Sequence, residues 1–295
     1  MTPRRKFLKL LALLAFVGIV LSGGFIWLVG SRLSAPANRP VQIPTDLGAE
    51  EIRIAGECEI AGSFIEGEEG KGAVLLLHGI RGDRSAFVEH ARFLRGAGFS
   101  VLMIDLRGHG ESARTNITFG KFESRDVQAA VAYLKRRLPA EKVGVIGSSL
   151  GGAAAVFSEP PLEVDALVLE MVYRDVRSAV ANRVAIVLGD WARPFGALLT
   201  VQLKMRLEMS ADELAPVEFI RKLHTPKLMV SGTEDQHTLR EDTERLYEAA
   251  AEPKELWMIE GAKHEDLYRF AGKDYEKRIT KYFSKHLRGS DLGSR

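Results

Sequence analysis

Val143-Gly144-Val145-Ile146-Gly147-Ser148-Ser149-Leu150-Gly151-Gly152 carries the strongest structural signal in this chain. It opens on an apolar run and leads into the small and apolar residues Ala153-Ala154-Ala155-Val156-Phe157. Strand, sharp turn and helix fit that order. Within it, Gly147-x-Ser149-x-Gly151 has the spacing of a nucleophile elbow, in which a serine sits on a strained strand-to-helix turn with its Oγ exposed. The glycines have a physical task, because side chains beside so tight a turn would meet the neighbouring strand and helix. A helix beginning at the serine points its free N–H groups at any charge that develops there. Ser148 is the adjacent competitor, but it lies one residue off the elbow register. Ser149 is therefore the candidate nucleophile.

A serine hydroxyl needs a base beside it, and the base needs an acid to orient it. Lys227-Leu228-Met229-Val230-Ser231-Gly232 reads as a strand, and Thr233-Glu234-Asp235 follows in a polar loop. Glu255-Leu256-Trp257-Met258-Ile259 is another strand, followed by Glu260-Gly261-Ala262-Lys263-His264. Ser149, Asp235 and His264 each fall just past the C-terminal end of an expected strand. In a parallel sheet those ends share one edge, where such sheets bind ligands. Glu234 is off the Gly-x-x-Asp spacing, and Asp212, Asp242 and Asp266 are weaker rivals. His90, His224 and His286 carry no motif, and His237, two residues past Asp235, receives no role. Asp105 and His109 read as braces of their own loop. Glu170, after the central strand, reads as a capping or surface carboxylate in preference to a pocket-lining one.

Four blocks then stand in one order: Leu77-His78-Gly79 after a strand; Asp105-Leu106-Arg107-Gly108-His109-Gly110-Glu111-Ser112; the elbow; and Gly232-x-x-Asp235 with Gly261-x-x-His264. Over residues 51–288 the chain resembles the α/β-hydrolase superfamily, and within it the membrane-anchored, Bem46-like serine hydrolases. The resemblance implies an α/β-hydrolase fold: a mostly parallel, doubly wound sheet with a helical cap inserted after the sixth strand. It implies a serine hydrolase that cleaves a carboxylic ester through an acyl-enzyme on Ser149, with His264 as base and Asp235 as its orienting acid. One oxyanion-hole donor is the backbone N–H of Leu150, the residue after the nucleophile. The resemblance supplies the other, Ile80 after His78-Gly79, with His78 supporting that turn. No cofactor is implied, and no His, Asp or Glu cluster has zinc-ligand spacing. A thioesterase, amidase, peptidase or acyltransferase would use the same triad, and a binding protein can keep the fold without the chemistry.

The remaining pattern supports one α/β domain. Residues 51–54 and 58–64 read as an edge hairpin around a turn containing Gly56. Ala73–Leu77 is continuously apolar, as for a strand covered on both faces. A helix over 88–98, a strand over 100–104 and a helix over 126–138 follow, then the elbow and the strand 166–169. A helix around 275–286 closes the domain. Strands alternating with helices predict a parallel, right-handed wound sheet. Residues 173–215 break the alternation with two helix-like stretches, 176–188 and 195–207. They read as a cap, either packed on the core or forming a substrate-binding or membrane-facing lid.

The N-terminus carries Arg4, Arg5, Lys6 and Lys9, and then no charge from Leu10 to Ser31. That run of about 22 residues is long enough to cross a bilayer as a helix. Residues 1–31 are expected to be a cytoplasmic flank and a transmembrane anchor, which leaves the catalytic domain on the extracytoplasmic side. The alternative is a cleaved signal peptide with a secreted product. Leu33-Ser34-Ala35 is a passable cleavage site, although Pro36 would follow the cut and the run exceeds a usual apolar region. Residues 32–50, with Pro36, Pro40 and Pro44, read as a spacer, and 289–295 as a tail. The formal charge of +2 rests on the four basic residues of the flank; without them the balance is −2. No basic patch calls for nucleic acid. Substrate and membrane are the expected partners: a small-molecule or lipid ester, and a bilayer around the N-terminal helix. The single cysteine, Cys58, forms no internal disulfide.

Overall fold

A computed structural model describes residues 3–288, so the expected tail 289–295 lies outside the described residues. Eight strands form the central sheet: β1 (Glu50–Ala55), β2 (Glu59–Ile65), β3 (Ala73–Leu77), β4 (Ser100–Ile104), β5 (Val143–Ser148), β6 (Ala166–Glu170), β7 (Lys227–Gly232) and β8 (Lys254–Ile259). Their spatial order is β8-β7-β6-β5-β3-β4-β2-β1. β2 pairs antiparallel with β1 and β4, and every other pairing is parallel. The chain leaves β3 for β4 on one side and returns to place β5 on the other. The C-terminal ends of β3 and β5 thus lie side by side, at the switch point where such sheets open a crevice.

Every residue of β3, β4 and β6 is buried, because helices cover both faces and leave no wet side for polar residues. The helices are α1 (Pro3–Ser34), α2 (Val88–Gly96), α3 (Glu123–Arg137), α4 (Leu150–Val156), α5 (Val176–Leu188), α6 (Gly196–Thr200), α7 (Gln202–Leu207), α8 (Pro216–Phe219), α9 (Arg240–Ala249), α10 (Leu267–Ala271) and α11 (Lys273–Leu287). One core layer joins the sheet to α3 and α4 through Val127, Ala130, Leu134 and Ala153. The other joins it to α2 and α11 through Ala91, Leu94, Ile279 and Phe283. In α3 the buried Val127, Ala130, Val131 and Leu134 keep the i, i+3, i+4, i+7 spacing of an amphipathic helix.

Two elements differ from expectation. α3 starts at Glu123, not Asp126, because the buried Glu123 carboxylate accepts from the N–H groups of Thr118 and Gly120 and fixes the turn before the helix. The expected helix 195–207 is parted into α6 and α7 at Val201, which keeps a helical φ of −58° and ψ of −30°, and a 3-10 turn over Asp190–Phe195 precedes it. Pro194 removes a donor, and Gly196 lies so close to α5 that an added Cβ would stand 3.1 Å from Ala181 Cα.

The N-terminal helix is continuous from Pro3 to Ser34. The stretch expected as a spacer lies along the domain. Ala37 and Asn38 pair in parallel with His109 and Gly110, Arg39 meets Asp83 at 2.6 Å, and Leu47 is buried.

Candidate active site

The elbow is built by two close approaches. β5 ends at Ser148, α4 begins at Leu150, and Ser149 between them holds φ +50° and ψ −107°. That conformation costs a serine roughly 1–3 kcal/mol. It is locked by the Ser149 N–H, which donates to the Glu170 carbonyl at 2.7 Å. A Cβ on Gly147 would lie 2.6 Å from Gly152 Cα, and one on Gly151 would lie 2.4 Å from the Leu77 carbonyl oxygen. Neither position tolerates a side chain, which is the physical content of the motif.

The ends of β7 and β8 bring Asp235 and His264 together. Asp235 Oδ2 lies 2.8 Å from His264 Nδ1. Asp235 Oδ1 accepts from the backbone N–H groups of His237 and Thr238, both at 2.8 Å. The carboxylate is therefore held on one oxygen by fixed backbone donors and presents the other to the imidazole. Asp235 is buried, whereas His264 keeps part of its ring exposed. Ser149, His264 and Ile80 line one cavity of about 500 Å³. Leu150 opens α4 beside it. A bound carbonyl there would have a hydroxyl and an imidazole within one enclosure, with Asp235 behind the ring.

His78 and His109 stand behind this wall as braces. The Leu106 N–H donates to His78 Nε2 at 3.1 Å, so Nδ1 carries the proton and donates to the Gly79 carbonyl at 2.8 Å. That bond fixes the turn that presents Ile80. Burial pushes both imidazoles down to about 4, and their rings meet edge to face at 4.9 Å. Neutral at ordinary pH, they act as fixed hydrogen-bonding groups. Asp105 accepts from the Arg84 N–H at 2.7 Å and the Glu111 N–H at 2.9 Å and pairs with the buried Arg84 guanidinium. It ties the 105–112 loop to the 3-10 turn over Arg84–Phe87.

Glu170, His237, Arg183 and His90, to which the sequence analysis gave no catalytic role, also line this cavity. Glu170 is not a capping or surface carboxylate: it is 2% exposed, lines the cavity, and accepts a hydrogen bond from the Tyr275 hydroxyl. Burial pushes its carboxyl up to about 7. The usable signal was a lone acid at the end of an otherwise apolar strand, in register with Ser148. His237 lines the cavity with its ring centroid 4.9 Å from that of His264. Arg183 reaches the same cavity from α5. Among the described residues no group of three His, Cys, Asp or Glu is placed to hold a metal ion.

A family model for the α/β-hydrolase fold matches residues 72–200, which include β3, the elbow and the first part of the cap. The uncharacterized protein Rv2307c of Mycobacterium tuberculosis is 31% identical over 280 residues, covering 88% of this chain and 89% of its own. This chain belongs to the α/β-hydrolase family. The fold is shared with solved esterases: the Pyrococcus furiosus esterase Pf2001 superposes with a TM-score of 0.71 at 22% identity, over 86% of this α/β hydrolase and 99% of that chain. An sn-1-specific diacylglycerol lipase of Danio rerio, ABHD11, is 29% identical over 139 residues, 46% of this chain and 42% of that protein. Asp235 and His264 lie outside the residues matched by the family model.

Proposed function

We propose that this α/β hydrolase cleaves carboxylic esters through an acyl-enzyme on Ser149. The observation that carries the reading is the Asp235–His264 hydrogen bond, 2.8 Å long, behind the wall of the cavity that Ser149 also lines. His264 Nε2 removes the hydroxyl proton as Oγ attacks the carbonyl carbon. The same proton then passes to the departing alkoxide. Water, deprotonated by His264, attacks the acyl-enzyme and releases the acid. Asp235 holds the Nδ1–H tautomer and stabilises the imidazolium. The N–H groups of Leu150 and Ile80 receive the oxyanion, each typically worth ~10²–10³ in turnover. The esterase that shares the fold and the lipase that shares part of the sequence favour an ester over other acyl compounds.

The same proposal includes a membrane anchor. Helix α1 spans 32 residues, about 48 Å at 1.5 Å per residue. Its exposed Phe7, Leu14, Leu21 and Leu28 suit lipid rather than water. The basic flank puts the N-terminus in the cytoplasm and the domain outside it.

A fluorophosphonate probe should label Ser149 covalently, and short p-nitrophenyl esters should turn over. Absence of labelling in folded protein, or full activity in Ser149→Ala, would defeat the assignment. Intact mass of membrane-extracted protein tests the anchor: a mature start near Pro36 would replace it with a cleaved signal peptide.

A further inference from the structure

We propose that one part of the Ser149 cavity is a polar subsite, formed by His90 and by Glu170 on its Tyr275 hydrogen bond, that binds a free hydroxyl on the alcohol portion of the substrate. The proposal rests on the ester-hydrolase reading and gives it a substrate class, esters of polyols. His90, on α2, is 3% exposed and lines the cavity, yet neither ring nitrogen has a hydrogen-bond partner among the described residues. Buried polar atoms are rarely left so, because each costs about 1–3 kcal/mol. The ring cannot turn away to water. Phe87, Phe93, Tyr268 and Tyr275 surround it with centroids 4.7, 5.9, 5.1 and 5.4 Å distant.

Burial pushes His90 down to about 4, so at neutral pH it offers one donor and one acceptor. In the same cavity wall, Tyr275 donates to Glu170 Oε1, and Glu170 lines the cavity beside His90. A hydroxyl both donates and accepts, and so satisfies an imidazole and a carboxyl together. An anionic group would face Glu170 and Asp266, which line the same cavity. An ammonium would leave the His90 N–H unmet.

The test compares kcat/KM for a monoacylglycerol and for the methyl ester of the same acyl chain, in identical detergent micelles. Wild type should favour the monoacylglycerol. His90→Phe and Glu170→Gln should each lower that preference by about tenfold or more, chiefly through KM, with fluorophosphonate labelling reporting that each variant is folded. An unchanged preference in both variants overturns the subsite and leaves Ser149 chemistry standing. Loss of both activities and of labelling in wild type would instead sink the ester-hydrolase reading.

A second surface carries an independent inference, which rests on the anchor reading. We infer that the outer face of the cap lies in the bilayer interface beside α1. Val187, Trp191, Val201 and Met205 are 78%, 72%, 67% and 65% exposed, and Leu188 and Phe195 join them. So many exposed large apolar side chains on one short unit mark a contact surface. Its occupant follows from continuity with α1. Gln202 Nε2 donates to the Ile26 carbonyl at 3.0 Å, and Arg206 Nη1 donates to Ser31 Oγ at 2.7 Å. The Arg206 guanidinium lies 3.7 Å from the centre of the Trp27 ring. The cap is thus fastened to the last turns of the apolar helix, where Trp and Arg sit at membrane boundaries.

The full chain, with Trp27→Phe and Trp257→Phe leaving Trp191 as reporter, would be reconstituted in phosphatidylcholine vesicles containing brominated acyl chains. Trp191 fluorescence should be quenched, and Val187→Glu with Val201→Glu should relieve the quenching. An unquenched Trp191 in protein that floats with the vesicles overturns the inference, as does cross-linking of the cap to a second copy. Failure to float would sink the anchor reading instead.

Discussion

Asp235 shows how much of the chemistry depends on single atoms. Its Oδ1 is occupied by two backbone donors, so in Asp235→Asn the amide oxygen would keep those bonds and the NH2 group would face His264 Nδ1. The imidazole would then be held in the wrong tautomer. Turnover of a p-nitrophenyl ester should fall by about 10⁴ while fold and melting temperature stay close to wild type. Glu170 makes a pH prediction. Its carboxyl is raised to about 7 by burial, so the folded state holds a proton that the unfolded chain releases near the usual carboxylate range. The unfavourable contribution grows as pH rises from about 4.5 to 7 and reaches roughly 3 kcal/mol above it. Glu170→Gln should therefore gain stability relative to wild type between pH 5 and pH 8. Thermal unfolding at the two pH values measures this, and a pH-independent difference would contradict the raised carboxyl. The buried histidines are common to both proteins, so their opposite dependence cancels in the comparison.

At the scale of elements, the elbow and the turn that follows β3 are one mechanical unit. Gly151 touches the carbonyl of Leu77, the last residue of β3, and the next residues are His78, Gly79 and Ile80. Gly151→Ala must push these apart. We expect a loss of about 2–4 kcal/mol in denaturant unfolding, with a fall in kcat beyond what stability explains. Gly96→Ala, at the end of α2 with open space around the new Cβ, should be neutral or stabilise by about 0.5–1 kcal/mol. The strands were legible in sequence because β3, β4 and β5 bury both faces and need unbroken apolar runs. The stretch 195–207 reads as one helix because apolar residues continue through it, and the parting of α6 from α7 at Val201 leaves that residue's φ and ψ helical.

At the scale of the molecule, the cap joins the N-terminal helix to the cavity. α1 holds α7 through Gln202 and Arg206, and α5 carries both the exposed Val187 and the cavity residue Arg183. The full chain should sediment with membranes and resist alkaline carbonate extraction. Release by carbonate would place α1 on a membrane surface or remove it from the mature protein. The wound sheet, the elbow with Ser149, and the order of Ser, Asp and His were readable from the chain alone, because they rest on local periodicity, turn glycines and strand ends. What fills the space around them came from folding. It laid residues 36–48 along the domain, turned the cap's apolar side outward, and enclosed Glu170 with Tyr275 and His90. Burial and hydrogen-bond partners come from residues distant in the chain (Tyr275 is 105 positions from Glu170), and local pattern carries no record of which helix will cover the end of which strand.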